Sequence, residues 1–313
     1  MNITISYPQP SKSRIWLPPA CYLLAALSIQ VLIMLFHNQI FRDSTMNLGT
    51  LRDPVVLMLA TSLLWISLRI ILRRQHSFLM HHLLHQNKLC ELRYFRRKSV
   101  NRLRNQLFIA AIASFTVLVA NNENAMLAPY PNETSFTVIT FLLLMVSGVF
   151  LYQCATLPYF LRKQFLPVKI DNPAALKTSH QLHLISQLII LQVSFSLCLW
   201  QVVSAAIPAL RWVALAFSAL TLLIAIALIY QSAVEVKRAR IYCESALQSN
   251  ARKLHFLRNK GQYPEQALQL AIKKLLQQRS DLKAHRFSLT TSFQRYLIAG
   301  AFILLTVIWL LAG

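Results

Sequence analysis

Residues 231–295 read QSAVEVKRARIYCESALQSNARKLHFLRNKGQYPEQALQLAIKKLLQQRSDLKAHRFSLTTSFQR and lie between two apolar runs that are each long enough to cross a bilayer. This segment contains thirteen Lys and Arg residues against four Asp and Glu residues. Because so cationic a segment resists translocation, both flanking spans are expected to end on the cytoplasmic side of the membrane. The orientation of the neighbouring spans follows from this one segment.

The cationic segment reads as two helices joined by a turn. The sequence NKGQYP at 259–264 interrupts it, with Gly261 at a C-cap position and Pro264 at the start of the second helix. We therefore predict an antiparallel helical hairpin that projects into the cytoplasm. Its second helix carries a stripe of apolar residues seven apart, which predicts a surface for self-association or partner docking because an apolar seam in water needs a cover. The stripe consists of Leu268, Leu275, Leu282 and Leu289.

The composition predicts an all-α polytopic integral membrane protein. Of the 313 residues, 56% are hydrophobic and only 13% are charged, and the apolar residues form runs long enough to span the hydrocarbon. The five glycines are few, which argues against the glycine-hinged broken helices of transporters. Nearly all of the net charge of +22 falls in predicted inner segments, so topology explains it. The expected partners are therefore anionic lipid headgroups and not nucleic acid.

The apolar runs predict seven spans, with the N-terminus cytoplasmic and the C-terminus outside. Residues 1–230 form a six-span membrane domain that includes a basic cytoplasmic helix at 73–105, residues 231–295 form the hairpin, and residues 296–313 form the final transmembrane helix. This arrangement is typical of a plasma membrane or bacterial inner membrane protein. The seven runs are 17–36, 54–72, 107–127, 136–160, 182–207, 210–230 and 296–312.

In the third run, the clean apolar stretch at 107–120 has only fourteen residues before the polar sequence Asn121-Asn122-Glu123-Asn124. The alternative to a full span is a re-entrant segment. Re-entry would invert the topology of everything that follows and would force residues 231–295 across the membrane, so a full span is favoured.

The densest charge block precedes this third run. Its cationic residues are interleaved with Tyr94 and Phe95, a mixture that could also grip single-stranded nucleic acid. Because the block directly adjoins a span, we predict instead that it lies on anionic lipid headgroups. The block consists of Arg93, Arg96, Arg97, Lys98, Arg102 and Arg104.

Four histidines follow the second span, at positions 76, 81, 82 and 85. His81 and His85 are four apart, so both rings could face one metal ion on a helix. No second pair or acidic residue stands at ligand spacing, and an amphipathic interfacial helix is the favoured interpretation. We expect no metal and no cofactor. None of the five cysteines falls in an outer loop, so no disulfide framework is expected.

The polar residues inside the predicted spans are mild, and no charged residue lies at the middle of any span. This argues against ion-coupled transporters, which usually keep an ionisable residue at depth. The glutamines of the fifth span, Gln187, Gln192 and Gln201, could line a pore or form hydrogen bonds between helices. No catalytic motif is recognisable, so we expect no enzyme.

These observations favour a non-enzymatic membrane protein. We expect a channel- or receptor-type subunit or a membrane scaffold, which assembles through its cytoplasmic helices as a homo-oligomer or with a cytosolic protein. The alternative is a small-molecule transporter.

The topology resembles that of the insect gustatory and odorant receptor superfamily. The likeness lies in the cytoplasmic N-terminus, the long helices that enter the last span, and Phe287-Ser288-Leu289 just before that span. The resemblance implies a ligand-gated cation channel whose inner helices pack the subunits together. The final span reads Thr306-Val307-Ile308-Trp309 and lacks that family's terminal Tyr and Gln-Phe pattern. The resemblance is therefore one of architecture, and it assigns no residue a role.

The predicted topology can be tested by cysteine labelling with a membrane-impermeant reagent. Residue 243 is expected to react from the cytoplasmic side and a cysteine at residue 130 from the outside, because the charge asymmetry places them in different compartments. Labelling of both from one compartment would contradict the seven-span topology.

Overall fold

A computed structural model describes residues 17–41, 49–85, 89–121, 131–166, 173–207, 210–259, 265–291 and 300. Throughout these residues the regular structure is helical, with seven α-helices and one short 3-10 helix and without strands. The helices are α1 (Leu17–Phe41), α2 (Gly49–His85), the 3-10 helix Leu89–Glu91, α3 (Leu92–Asn121), α4 (Pro131–Phe165), α5 (Pro173–Ala206), α6 (Arg211–Asn259) and α7 (Glu265–Thr291).

Five helical stretches are long and apolar enough to cross a membrane, as expected for a multi-pass integral membrane protein. The first predicted span lies in α1, whose apolar part Leu17–Ile33 is shorter than the other five. The predicted final span lies outside the described residues apart from Gly300. The count of seven spans therefore stays a prediction. The five stretches are Arg52–Leu84, Leu92–Ala120, Ser135–Phe165, Ala175–Ala206 and Arg211–Phe256.

The third predicted span belongs to the continuous helix α3, which joins the basic block to the apolar run without a break. A re-entrant segment would need a reversal of the chain within the run, and the chain does not reverse between Leu92 and Asn121. The suggested extension of this span to residue 127 lies outside the described residues.

The range 73–105, for which the sequence predicts one basic helix, is divided between two helices. Its first part is the end of α2, and its last part is the start of α3. The side-chain amide of Gln75 donates a hydrogen bond to Ser99 Oγ at 3.2 Å, so the two ends contact each other. A single straight helix over this range would extend for about 50 Å along the membrane surface. The end of α2 instead lies beside the start of α3.

The described helices fall into two compact units, 1–153 with 199–218, and 154–198 with 219–313. In the first unit, the rings of Tyr22 (α1) and Trp65 (α2) meet edge to face at 6.0 Å. Helices α3 and α4 approach closely at Gly148, where an added Cβ would lie 3.2 Å from the Cβ of Ala110. Small residues allow such close approach, because helices in lipid associate through packing and hydrogen bonds and not through the hydrophobic effect.

In the second unit, α6 and α7 form the hairpin, and the break between them falls where the sequence predicts it. Helix α6 has 49 residues, which corresponds to a length of about 74 Å and is more than twice the thickness of the hydrocarbon. Leu282 of α7 packs with Ala239 and Cys243 of α6. Leu275, earlier in α7, borders a groove with Phe256, later in α6. The two helices are therefore antiparallel.

The face of α6 that is buried in the second unit is a seam of small and polar residues. Its members follow one another at spacings of three or four residues, so they keep one side of the helix turned inward. Small side chains let neighbouring helices come close, and the polar ones can bond across the interface. The buried seam consists of Thr221, Ala225, Leu228, Ser232, Glu235, Ala239 and Cys243.

Candidate functional site

The second unit contains a buried network of polar side chains from three helices, and Arg162 of α4 lies at its centre. Its Nη1 donates to Gln231 Oε1 on α6 at 2.9 Å, and its Nη2 donates to Ser186 Oγ on α5 at 3.3 Å. Its Nε forms an ion pair with Oε1 of Glu235 on α6. Only 16% of the Arg162 side chain and 9% of the Glu235 side chain are exposed. One arginine thus connects three helices.

His183 of α5 forms the second part of the network. Its Nε2 lies 2.8 Å from the amide nitrogen of Gln187, and its Nδ1 lies 2.9 Å from Ser232 Oγ on α6. All three side chains are buried. Because an amide nitrogen can only donate, Nε2 accepts, and the proton on Nδ1 is donated to Ser232.

The helical repeat explains why these residues meet. On α5, His183, Ser186 and Gln187 are separated by three and four residues and therefore share one face. On α6, Gln231 and Glu235 are four apart, and Ser232 lies next to them. The residues that flank the network on all three helices are apolar and buried, so the charges lie in a region of low dielectric where only paired groups are tolerated. The flanking residues include Leu157, Leu161, Leu182, Ile185, Ile189 and Leu228.

Two buried atoms of the network make no hydrogen bond among the described residues, Nε of Arg162 and Oε2 of Glu235, and of these Nε lies in the ion pair. The other carboxylate oxygen is held by Arg162. A buried carboxylate oxygen without a donor is costly, and it can accept a proton, a water molecule or a cationic or hydrogen-bond-donating ligand. The network is therefore able to bind one further donor.

The buried face of α6 continues from the network into an apolar cluster. Ala239 and Cys243, which lie one and two turns after Glu235, pack with Leu176 of α5 and Leu282 of α7. The helix face that holds the ion pair therefore also holds the second arm of the hairpin.

The leucine stripe of the hairpin is only partly described. Leu282 is buried in the apolar cluster, and Leu275 is half-buried beside a groove of about 460 Å³ that is also lined by Arg252, Lys253 and Phe256. Leu268 and Leu289 lie in α7, but their side chains are outside the described part of the structure. The described half of the stripe faces α6. The large apolar side chains exposed on the two arms are different ones, Ile241, Phe256, Leu270 and Leu276.

The basic block lies on the first turns of α3. Arg93, Arg96 and Arg97 line one groove of about 330 Å³, and Arg104 lines another of about 430 Å³. The ammonium group of Lys98 lies 5.9 Å from the centre of the Tyr94 ring on the same helix, which is a cation–π distance. Arg102 is half-buried, whereas the other five cations of the block are exposed.

The three glutamines of the predicted pore have different surroundings. Gln187 belongs to the buried network, and Gln192 and Gln201 are half-buried. The backbone carbonyl of Gln201 accepts a hydrogen bond from Ser204 at 3.0 Å. Gln192 is turned by about 140° from Gln187 around the helix axis, so these two do not share a face. Of the three, only Gln187 takes part in the network that joins α5 to α6.

The histidines and cysteines are dispersed. The ring of His82 stacks on Phe78 of the same helix at 5.7 Å. In the part of the chain that the structure describes, no three His, Cys, Asp or Glu side chains come together. All five cysteines carry free thiols. Because Cys243 is buried in the apolar cluster, a topology label needs a cysteine introduced at an exposed neighbour such as Lys237.

Arg162 and Glu235 both lie beyond the ends of the predicted spans 136–160 and 210–230, so nothing in the sequence connects them. The signal that could have found Glu235 is its place in the spacing of three and four residues that runs through Ser232 and Ala239 on α6. A carboxylate within such a seam needs a cationic partner from a neighbouring helix. No comparable pattern marks Arg162 in the sequence.

No protein-family model, no curated protein and no solved structure matches this chain. The chemistry of the network itself offers two roles. It can hold α4, α5 and α6 in one arrangement through a paired charge, and it can bind a proton or a small donor at the free oxygen of Glu235.

The ion pair predicts a specific pattern of stability. Arg162→Gln and Glu235→Gln should each lower the free energy of unfolding by about 3–5 kcal/mol, because each leaves one buried charge without its partner. The variant that carries both changes should lose less than the sum of the two. The measurement is denaturant unfolding of the purified protein in micelles.

The matched control is the pair Arg240–Glu244 on the same helix, 3.4 Å apart with side chains that are 58% and 46% exposed. Changing either member to Gln should cost only about 0.5 kcal/mol. Equal losses at the two pairs would show that burial gives Arg162 and Glu235 no special role.

Proposed function

We propose that this chain is a non-enzymatic protein of seven spans that acts as a channel- or receptor-type subunit or as a membrane scaffold. In this proposal the hairpin of α6 and α7 lies on the cytoplasmic side and is the element through which copies of the chain assemble. The observation that carries the proposal is the construction of α6, a single helix far longer than the bilayer is thick that holds α7 through Leu282.

The exposed surface of the hairpin supports an assembly role. Leu270 is 71% exposed and Leu276 is 51% exposed on α7, and Phe256 is exposed on α6. If the hairpin lies outside the hydrocarbon, these side chains face water unless another protein covers them. Arg252 and Lys253 lie beside Phe256, so a contact there would have an apolar centre and a charged rim, as protein interfaces commonly do. A second copy of the chain is the occupant we propose.

The proposal predicts that two exposed leucines control assembly. The variant Leu270→Asp with Leu276→Asp should shift the detergent-solubilised protein from an oligomeric to a monomeric mass, because charges would replace the apolar contact. The mass is measured by size-exclusion chromatography with multi-angle light scattering.

The control variant is Gln277→Asp with Gln278→Asp, which adds the same charge at exposed polar positions of α7 and should leave the oligomer intact. Leu282→Asp serves as a separate comparison, since it should open the hairpin itself. A monomeric mass for the unaltered protein would refute assembly through the hairpin.

A small-molecule transporter is the second candidate, and the buried Glu235 favours it. Ionisable residues inside helix bundles of membrane proteins commonly form proton or substrate relays. Here the ion pair with Arg162 and the nearby His183 supply three ionisable groups in one network. The absence of charged residues from the middle of the predicted spans argues against a transporter. It does not bear on Arg162 and Glu235, because these residues lie beyond the ends of those spans.

The transporter candidate predicts that Glu235→Gln abolishes proton movement into proteoliposomes that contain a pH-sensitive dye. Glu244→Gln, which removes an exposed carboxylate from the same helix, should leave proton movement unchanged. Ion currents in a planar bilayer that persist in Glu235→Gln would favour the channel. If neither ion currents nor proton movement is observed, the scaffold is the remaining role.

A further inference from the structure

The exposed face of α3 changes from cationic to apolar within a few turns, and two grooves follow one another along it. The first groove is lined by Arg93, Arg96 and Arg97 with Val100 and Asn101. The second is lined by Arg104 and Asn105 with Phe108 and Ile109. We infer that this face binds one anionic phospholipid whose headgroup carries more than one negative charge, with the headgroup in the first groove and an acyl chain along the apolar part of the helix.

Charge is the first argument for this occupant. No acidic side chain of the described residues forms an ion pair with Arg93, Arg96 or Arg97, although the three guanidinium groups share one small groove. Like charges held so close together repel one another unless an anion lies between them. Guanidinium groups bind phosphate oxygens in a bidentate manner, and three of them exceed the charge of a single phosphodiester.

The helical register is the second argument. Arg93, Arg97, Arg104, Phe108 and Phe115 follow one another at steps of four, seven, four and seven residues. At about 100° per residue, all five lie within an arc of about 60° on the helix. All five are exposed. The cationic and apolar parts are therefore one continuous stripe.

The length of the apolar part fits an acyl chain. From Arg104 to Phe115 the helix rises about 16 Å. One leaflet of hydrocarbon is about 15 Å thick. A headgroup bound at the arginines would therefore place its chain beside Phe108 and Phe115.

The amphipathic character of the stripe selects a lipid over other anions. A soluble phosphate or a nucleic acid would satisfy the arginines and leave Phe108 and Phe115 uncovered. Helix α3 is also the least buried of the five stretches that could cross a membrane, with 22% of its most apolar window buried against 50% for α2. Its surface is therefore open to lipid. The inference rests on the proposed membrane location of α3 and is independent of assembly through the hairpin.

The test is native mass spectrometry of the purified protein in detergent with three added lipids. The lipids are dioleoyl phosphatidylcholine, dioleoyl phosphatidylserine and tetraoleoyl cardiolipin, which carries two phosphates. Cardiolipin is expected to stay bound at collision energies that remove the other two. Equal retention of all three lipids would overturn the inference.

Charge removal at the groove gives the residue-level test. The triple variant Arg93→Gln, Arg96→Gln and Arg97→Gln should weaken cardiolipin binding about 100-fold. The control variant Lys237→Gln, Arg279→Gln and Lys283→Gln removes three exposed charges from the hairpin and should retain the lipid. An equal loss in both variants would show that only net charge matters and would overturn the site.

Two further measurements keep the outcome decisive. A second triple variant carries Arg93→Lys, Arg96→Lys and Arg97→Lys. It preserves the charge and removes the bidentate geometry, so lipid binding should fall less than in the glutamine variant. It also provides a test of the site if the glutamine variant folds poorly. Inorganic pyrophosphate should not displace the lipid at equal concentration, because it lacks the apolar contact. Displacement would identify a site for soluble phosphate instead. The same spectra report the oligomeric state, so a failure of the assembly proposal would be seen separately.

Discussion

A guanidinium group buried among apolar side chains constrains the second unit of this protein. Removing such a charge from water is costly unless other polar groups replace the water. Arg162 finds them on two neighbouring helices, at Glu235 and Gln231 of α6 and at Ser186 of α5. Sliding or rotating any one of the three helices would separate these groups in a medium of low dielectric. The charge therefore specifies one register of α4, α5 and α6.

The seam on α6 extends this constraint along the helix. Ser232 and Glu235 contribute the polar contacts, and Ala239 and Cys243 contribute the apolar ones that hold Leu282 of α7. Both sets lie on one face because they are spaced three or four residues apart. Any change that rotates α6 within the bundle would therefore also move the second arm of the hairpin.

The cationic residues serve two different purposes. Arg162 is buried, has its partners within the chain and acts on the packing of helices. Arg93 and Arg97 are exposed and unpaired among the described residues, and they continue into the apolar surface of α3. Both kinds of residue count equally toward the net charge of +22. The surroundings of each residue decide whether it is paired inside the bundle or exposed on the surface of α3.

Local composition and periodicity are enough to predict the helical class, the long apolar helices and the position of the break between α6 and α7. They also place the basic block beside the third apolar run. They do not reveal that the range 73–105 folds back on itself, or that Leu282 faces α6. Nor do they reveal the pairing of Arg162 with Glu235, which are 73 positions apart. These contacts appear only in the folded chain, since a contact between distant residues depends on which helix faces are brought together and no local pattern records that choice.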